Sequence, residues 1–329
     1  MRELVRAWSN TRMVVLIALT AGLYGALTVP FKVITIIPGF TEIRPTAVIP
    51  ALMGVVSGPA GAWGAGIGNV VGDFIGGTAG PGSVFGFLGN VCFAYAAYKL
   101  SRPVLGRMGF AVDGSGVAGQ ADSLSVLPGR IILAAIGAAV ATCALAFSPF
   151  MSAVGASLQS CVAYGVVIAA GLTIGLLGLS RQACAFATTV LPVALGASLV
   201  CGGVIGWGLE LLGILPFASL GVTIAINNAV CVAVLLPLLL PSIYPRMKRW
   251  GLCTEDLLKP EDMSRPRAPR VGRAILWVAA IGVFAVGIGS YFGETTAAQS
   301  AERLAQQGVP LAVAQCPFIA LIIVGLWQS

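Results

Sequence analysis

The residue pattern points to an all-α protein, a polytopic transmembrane helix bundle of about ten spans. Composition is the first reason: of 329 residues, 57% are hydrophobic and 9% charged, whereas a soluble domain carries roughly a quarter charged residues. With a mean hydropathy of +0.95, such a chain cannot cover a water-facing surface with charge. The second reason is recurrence of apolar runs near the ~20 residues that cross a ~30 Å hydrocarbon core. The third is that the net charge of +7 gathers in alternate connections, as charge that sets orientation does.

The expected spans are 13–36, 44–56, 60–76, 84–100, 131–147, 161–179, 184–212, 220–240, 274–291 and 309–326. The basic start runs straight into the first of them with no small-residue cleavage site, so it reads as a span rather than a signal peptide. The second and third are short and glycine-rich, and the seventh is long enough to tilt. With a cytoplasmic amino terminus, the inner connections carry Lys99, Arg102, Arg107 and Arg130, then Arg181, then Arg246, Lys248, Arg249, Lys259, Arg265, Arg267, Arg270 and Arg273. The outer ones hold Lys32, Arg44 and Arg303. This bias places both termini of the multi-pass protein in the cytoplasm.

Several chemistries are excluded or disfavoured. The chain has no histidine and 12 acidic residues, which removes the commonest general base and a favoured metal ligand. Its eight cysteines form no C-x-x-C pair, and all but Cys253 lie in apolar stretches, where cysteine acts as a small hydrophobe. No metal, cofactor or catalytic dyad is expected, and the protein is not expected to be an enzyme. There is no nucleotide-binding G-x-x-x-x-G-K-[ST] loop. The basic residues do not interleave with aromatics, so nucleic acid is not an expected partner. The segment 246–273 reads as a basic cytoplasmic linker, with contact to anionic lipid heads as a further reading.

The third span carries the densest signal. Gly64, Gly68, Gly72 and Gly76 recur every fourth residue, a groove that admits another backbone at close range. Asn69 and Asp73 share the adjacent face. An aspartate inside an apolar segment costs about 3 kcal/mol at the helix centre, so Asp73 needs a partner, a cavity or water. Arg44, just after Glu42, enters from the same outer side, either as an ion-pair partner of Asp73 or as its counterpart across a bound solute. Asn90, Glu210, Asn227 and Asn228 fall at similar depth. The eight groups Glu42, Arg44, Asn69, Asp73, Asn90, Glu210, Asn227 and Asn228 therefore form the candidate substrate-binding set, an outward-facing capture pocket with no polar path continuing inward. The glycine-rich connection 76–83 reads first as a flexible turn and second as a lid. In the first span Ala18, Gly22 and Ala26 form a small-residue stripe, which periodicity alone assigns to internal packing.

The run Ile43 to Pro50, then Gly54, Ser57-Gly58-Pro59-Ala60-Gly61, Gly66-Ile67-Gly68-Asn69 and Gly72-Asp73, followed by Gly86 to Asn90 and Ile226-Asn227-Asn228, resembles the substrate-binding S-components of energy-coupling factor (ECF) transporters. The nearest group is that of the queuosine-precursor transporters. The likeness is good over 13–100 and weaker over 183–245. It implies a six-helix S-component-like unit that captures a vitamin or nucleobase-like micronutrient for uptake. It also implies docking, through Ala18, Gly22 and Ala26, to a membrane coupling protein that works with two ATPases. About four spans are surplus. The resulting organisation is an S-component-like bundle over 1–245 with an inserted hairpin at about 130–182, the linker 246–273, and a carboxy-terminal transmembrane pair over 274–329. An autonomous secondary transporter or facilitator is the alternative, and a membrane enzyme or assembly factor the third reading.

Overall fold

The structure is a computed structural model, and it describes residues 2–32, 35–37, 40–42, 44–105, 181–259, 262–263, 269–291 and 297–329. Within these the chain forms α1 (Arg2–Arg6), α2 (Thr11–Phe31), a small hairpin β1 (Thr35–Ile37) and β2 (Thr41–Glu42), α3 (Val48–Ser57), α4 (Pro59–Ile75), α5 (Gly82–Leu105), α6 (Arg181–Leu211), α7 (Phe217–Arg249), α8 (Thr254–Leu257), α9 (Pro269–Gly289) and α10 (Ala297–Gln328). Among the described residues the architecture is helical apart from the hairpin.

The expected number of spans is corrected. Among the described residues five helices are long and apolar enough to cross a membrane, not about ten: Thr11–Phe31, Pro192–Leu211, Phe217–Leu240, Pro269–Gly289 and Gln299–Gln328. The expected second and third spans fall short for a physical reason. At 1.5 Å per residue, the 10 residues of α3 reach only about half the hydrocarbon thickness. Its end is fixed by Gly58, at φ +49°, followed by Pro59 at the start of α4. A Cβ at position 58 would sit 2.7 Å from the Thr254 hydroxyl and 3.0 Å from the Tyr98 ring, so only glycine permits this break. The 17 residues of α4 include five glycines, and α5 has length but carries Asn90, Lys99 and Arg102, which hold its hydropathy down. The expected spans at 131–147 and 161–179, with nearly all of the expected hairpin insertion, lie outside the described residues.

The glycine stripe of α4 has a definite partner, α2. A Cβ at Gly64 would lie 2.5 Å from Thr20 Cβ, and one at Gly68 would lie 2.8 Å from the Ala21 carbonyl oxygen. Ala21 and Gly25 are the facing surface on α2, with Gly25 against the Gly68 carbonyl. Backbones this close gain packing that side chains would prevent. Ala18, Gly22 and Ala26 lie on the opposite face: all three are exposed, and a Cβ on Gly22 would meet nothing within 4 Å. The internal packing expected of that stripe belongs to its neighbour.

Both ends of the chain lie at one end of the bundle. The Gly272 backbone of α9 abuts Ser329. Arg6 of the first segment pairs with Asp262 at 3.1 Å, and Asn10 donates its amide to the Leu257 carbonyl at 2.8 Å. A satellite apolar cluster of Ala7, Met13, Leu16, Ile17, Ala60, Leu257 and Leu258 closes this end, so the segment after α7 is packed rather than free. Glu3 and Lys99, both fully buried, pair there at 3.6 Å.

Candidate functional site

At the opposite end the hairpin, the α4–α5 connection and the α6–α7 turn enclose a cavity of about 290 Å³. One wall is polar: Glu42, Arg44, Asn69, Asp73, Thr78 and Ser83. The facing wall is apolar, with Ile205, Leu209, Ile214, Leu220 and Ile224, and Phe40 at the rim. A concave site with an apolar lining and a few convergent polar groups is the usual form of a small-molecule site.

The polar wall is a chain of contacts. Arg44 Nε donates to Glu42 Oε1 at 2.5 Å, and one of its terminal nitrogens donates to Asn69 Oδ1 at 3.1 Å. Asn69 Nδ2 in turn donates to Asp73 Oδ2 at 3.2 Å, one helical turn further along α4. Arg44 and Asp73 thus share one cavity without touching; Asn69 bridges them. Arginine stays charged in a protein, and with the Glu42 side chain only 6% exposed, the Glu42–Arg44 pair is a buried one. The Asn227 side chain of α7 holds the backbone of this pair in place: its Nδ2 donates to the Glu42 carbonyl at 2.8 Å and its Oδ1 accepts the Arg44 N–H at 3.5 Å.

Asp73 is fully engaged. Oδ1 accepts from Lys32 Nζ at 2.9 Å and from the Thr78 hydroxyl at 3.4 Å. Oδ2 accepts from Ser83 Oγ at 2.9 Å and from Asn69. Lys32 Nζ also donates to the Thr78 hydroxyl. Two carboxylate oxygens offer about four acceptor directions, and all are used. Asp73 therefore clasps the 76–83 connection to α2 and α4, and that connection forms part of the cavity rim.

The remaining expected site residues stand elsewhere. Asn90 lies behind the wall, accepting from the Tyr24 hydroxyl at 3.1 Å and donating to the Gly86 carbonyl at 2.8 Å. Asn228 is buried beside Cys201. Glu210 turns away from the cavity: one oxygen accepts the Phe217 N–H at 3.1 Å and the other accepts from Gln315 of α10. Sequence reasoning missed Lys32, which it counted as a loop charge. Lys32 follows directly on the last residue of α2, and its spacing from Asp73 carries no periodic signal. It also missed the apolar wall, because Leu209 and Ile224 look like any other lipid-facing or core residue.

Comparison with known proteins finds a family likeness in the first half of the chain. Residues 14–173 match the family model of the QueT transporter. The likeness to queuosine-precursor transporters read from the motifs is thereby borne out. No curated protein and no solved structure matches the chain significantly. The matched residues include the whole polar wall, whereas the apolar wall at 205–224 lies beyond them. The chain is a polytopic membrane protein whose QueT-like part carries the charged and amide half of the cavity.

Proposed function

We propose that this protein captures a small nucleobase-like micronutrient, a queuosine precursor, in the 290 Å³ cavity and delivers it for uptake as an ECF-type substrate-binding subunit. The observation that carries the reading is the two-walled cavity, whose polar half falls within the QueT match. A flat base fits such a site, with its hydrogen-bonding edge toward Arg44, Glu42 and Asn69 and its face against Ile205, Leu209 and Leu220. Asn227 braces the polar wall, and Asn90 lies behind it. Asp73 acts on the rim, holding the 76–83 connection. No bond in the solute is made or broken, in keeping with a transporter rather than an enzyme.

The exposed Ala18, Gly22 and Ala26 stripe supports docking to a membrane coupling protein with two ATPases, because a face of small residues lets another helix approach closely. Orientation follows the basic residues: both termini cytoplasmic, the cavity facing outward across a bacterial inner membrane. The 1–245 bundle, the 246–273 linker and the 274–329 pair remain the proposed organisation.

The test uses queuine, the free base of queuosine, as the probe on purified full-length protein. Asn69→Leu and Arg44→Ala each weaken binding on the order of tenfold or more, as the loss of a charge-assisted hydrogen bond does; unchanged affinity in both overturns the capture site. A second reading, autonomous transport, is favoured by the carboxy-terminal pair packed along α6 outside the QueT match. Uptake by liposomes holding this protein alone would support it over the ECF reading.

A further inference from the structure

The carboxy-terminal helices lie outside the family match, and so does the apolar wall they back. Two hydrogen bonds tie α6 to α10 in register: Trp207 Nε1 donates to the Ala312 carbonyl at 3.0 Å, and three residues on, Glu210 accepts from Gln315, three residues after Ala312. Glu210 and Gln315 are each fully buried. The second oxygen of Glu210 takes the N–H of Phe217, the first residue of α7. The residue before it, Pro216, makes no side-chain cap, and an unmade amide bond here would be costly. Glu210 therefore caps α7 from across the turn while holding α10.

That turn joins the two helices that form the apolar wall. Gly213, at φ +66°, donates to the Glu210 carbonyl at 2.9 Å, and Ile214 donates to the Leu209 carbonyl at 2.9 Å. Leu209, Ile214 and Leu220 all face the cavity. Phe217 is a buried wedge that stacks edge-on against Phe284 of α9 with centroids 5.1 Å apart, and a Cβ at Gly287 would overlap its ring.

We propose that the carboxy-terminal pair shapes the solute cavity, and that Glu210 is the positioning residue through which it acts, by joining Gln315 to the first amide of α7 and so fixing the 209–220 wall. This rests on the capture reading above for its functional consequence, but the wiring itself is testable without any solute.

The experiment compares wild type with Glu210→Ala, Glu210→Gln and Gln315→Leu, as full-length protein in nanodiscs, by deuterium uptake over 205–224 and by queuine affinity. Glu210→Gln is the rescue variant. Its oxygen can still accept the Phe217 N–H, and its new amide can donate to Gln315 Oε1, which is buried without a hydrogen-bond partner. The expected result is faster exchange over 205–224 and about tenfold weaker queuine binding in Glu210→Ala and Gln315→Leu, with Glu210→Gln close to wild type on both. Unchanged exchange in Glu210→Ala overturns the proposal, as does Glu210→Gln behaving like Glu210→Ala. If Glu210→Ala fails to fold, Gln315→Leu and Glu210→Gln still decide it. If wild type binds no queuine, the capture reading fails while the exchange pattern still decides the wiring.

Discussion

Glu42 and Arg44 sit two residues apart on an irregular stretch between β2 and α3, and their pair is buried against Asn69 and Asn227. Removing one partner strands a charge, which costs about 3–5 kcal/mol, whereas replacing both with neutral groups of similar size costs much less. Arg44→Met is therefore expected to lower the melting temperature sharply, and Glu42→Gln combined with Arg44→Met to recover most of it; a double variant no more stable than the single would count against a self-neutralising pair. Asp73 follows a different logic. It holds Lys32, Thr78 and Ser83 at once, so Asp73→Ala is expected to make the 76–83 connection more sensitive to protease while leaving α4 intact, and Lys32→Met is expected to do the same more weakly. The charged and amide residues of the cavity were readable in the sequence because ionisable groups in apolar runs need a reason to be there. Their partners were not: Asp73 could be paired with Arg44 by depth alone, and only the three-dimensional path shows Lys32 on Asp73 and Asn69 between the two.

Glycine explains both what the helices do and why the number of full crossings was overestimated from sequence. The i, i+4 glycines of α4 correctly announced a close helix contact, and α2 supplies it. The same residues, with the Gly58-Pro59 break, make α3 and α4 too short and too weakly apolar to count as full crossings. Hydropathy by eye cannot separate a 10-residue buried helix from a span, since both are apolar. Two substitutions on α2 and α4 separate packing from docking. Gly68→Ala forces a Cβ to within 2.8 Å of the Ala21 carbonyl oxygen, and overpacking of this kind costs about 1–3 kcal/mol, read as a lower melting temperature. Gly22→Leu meets open space and is expected to leave stability and queuine binding unchanged, while abolishing co-purification with the proposed coupling protein. Loss of queuine binding in Gly22→Leu would show that this face serves the cavity rather than a partner.

Across the molecule the cavity and the chain termini occupy opposite ends, so binding at one end and any movement at the other are linked through the helices that run between them, α2, α4, α5 and α7. The termini end is closed by small contacts. Trp63 donates to the Leu4 carbonyl at 2.9 Å, the Thr254 hydroxyl donates to the Val56 carbonyl at 3.4 Å, and Lys248 pairs with Asp256 at 2.8 Å. Cys253 lies in this closure, 2% exposed. Burial is the main reason its thiol is pushed up to about 12, with Asp256 and Glu255 adding to it and Lys248 opposing. A thiol reacts as its thiolate, so in a background where the other seven cysteines are alanine, Cys253 is expected to resist maleimide at pH 8 while this end stays closed. Glu3→Ala removes the buried carboxylate paired with Lys99, and is expected to loosen α1 and raise the labelling rate severalfold. The Arg6–Asp262 bridge, with an Arg6 side chain 60% exposed, contributes at most about 1 kcal/mol, so Arg6→Ala should change the rate little. Equal rates in all three proteins would mean that α1 does not guard this end. A Glu3→Ala rate that falls back when queuine is added would mean that filling the far cavity tightens the closure through the helices between them.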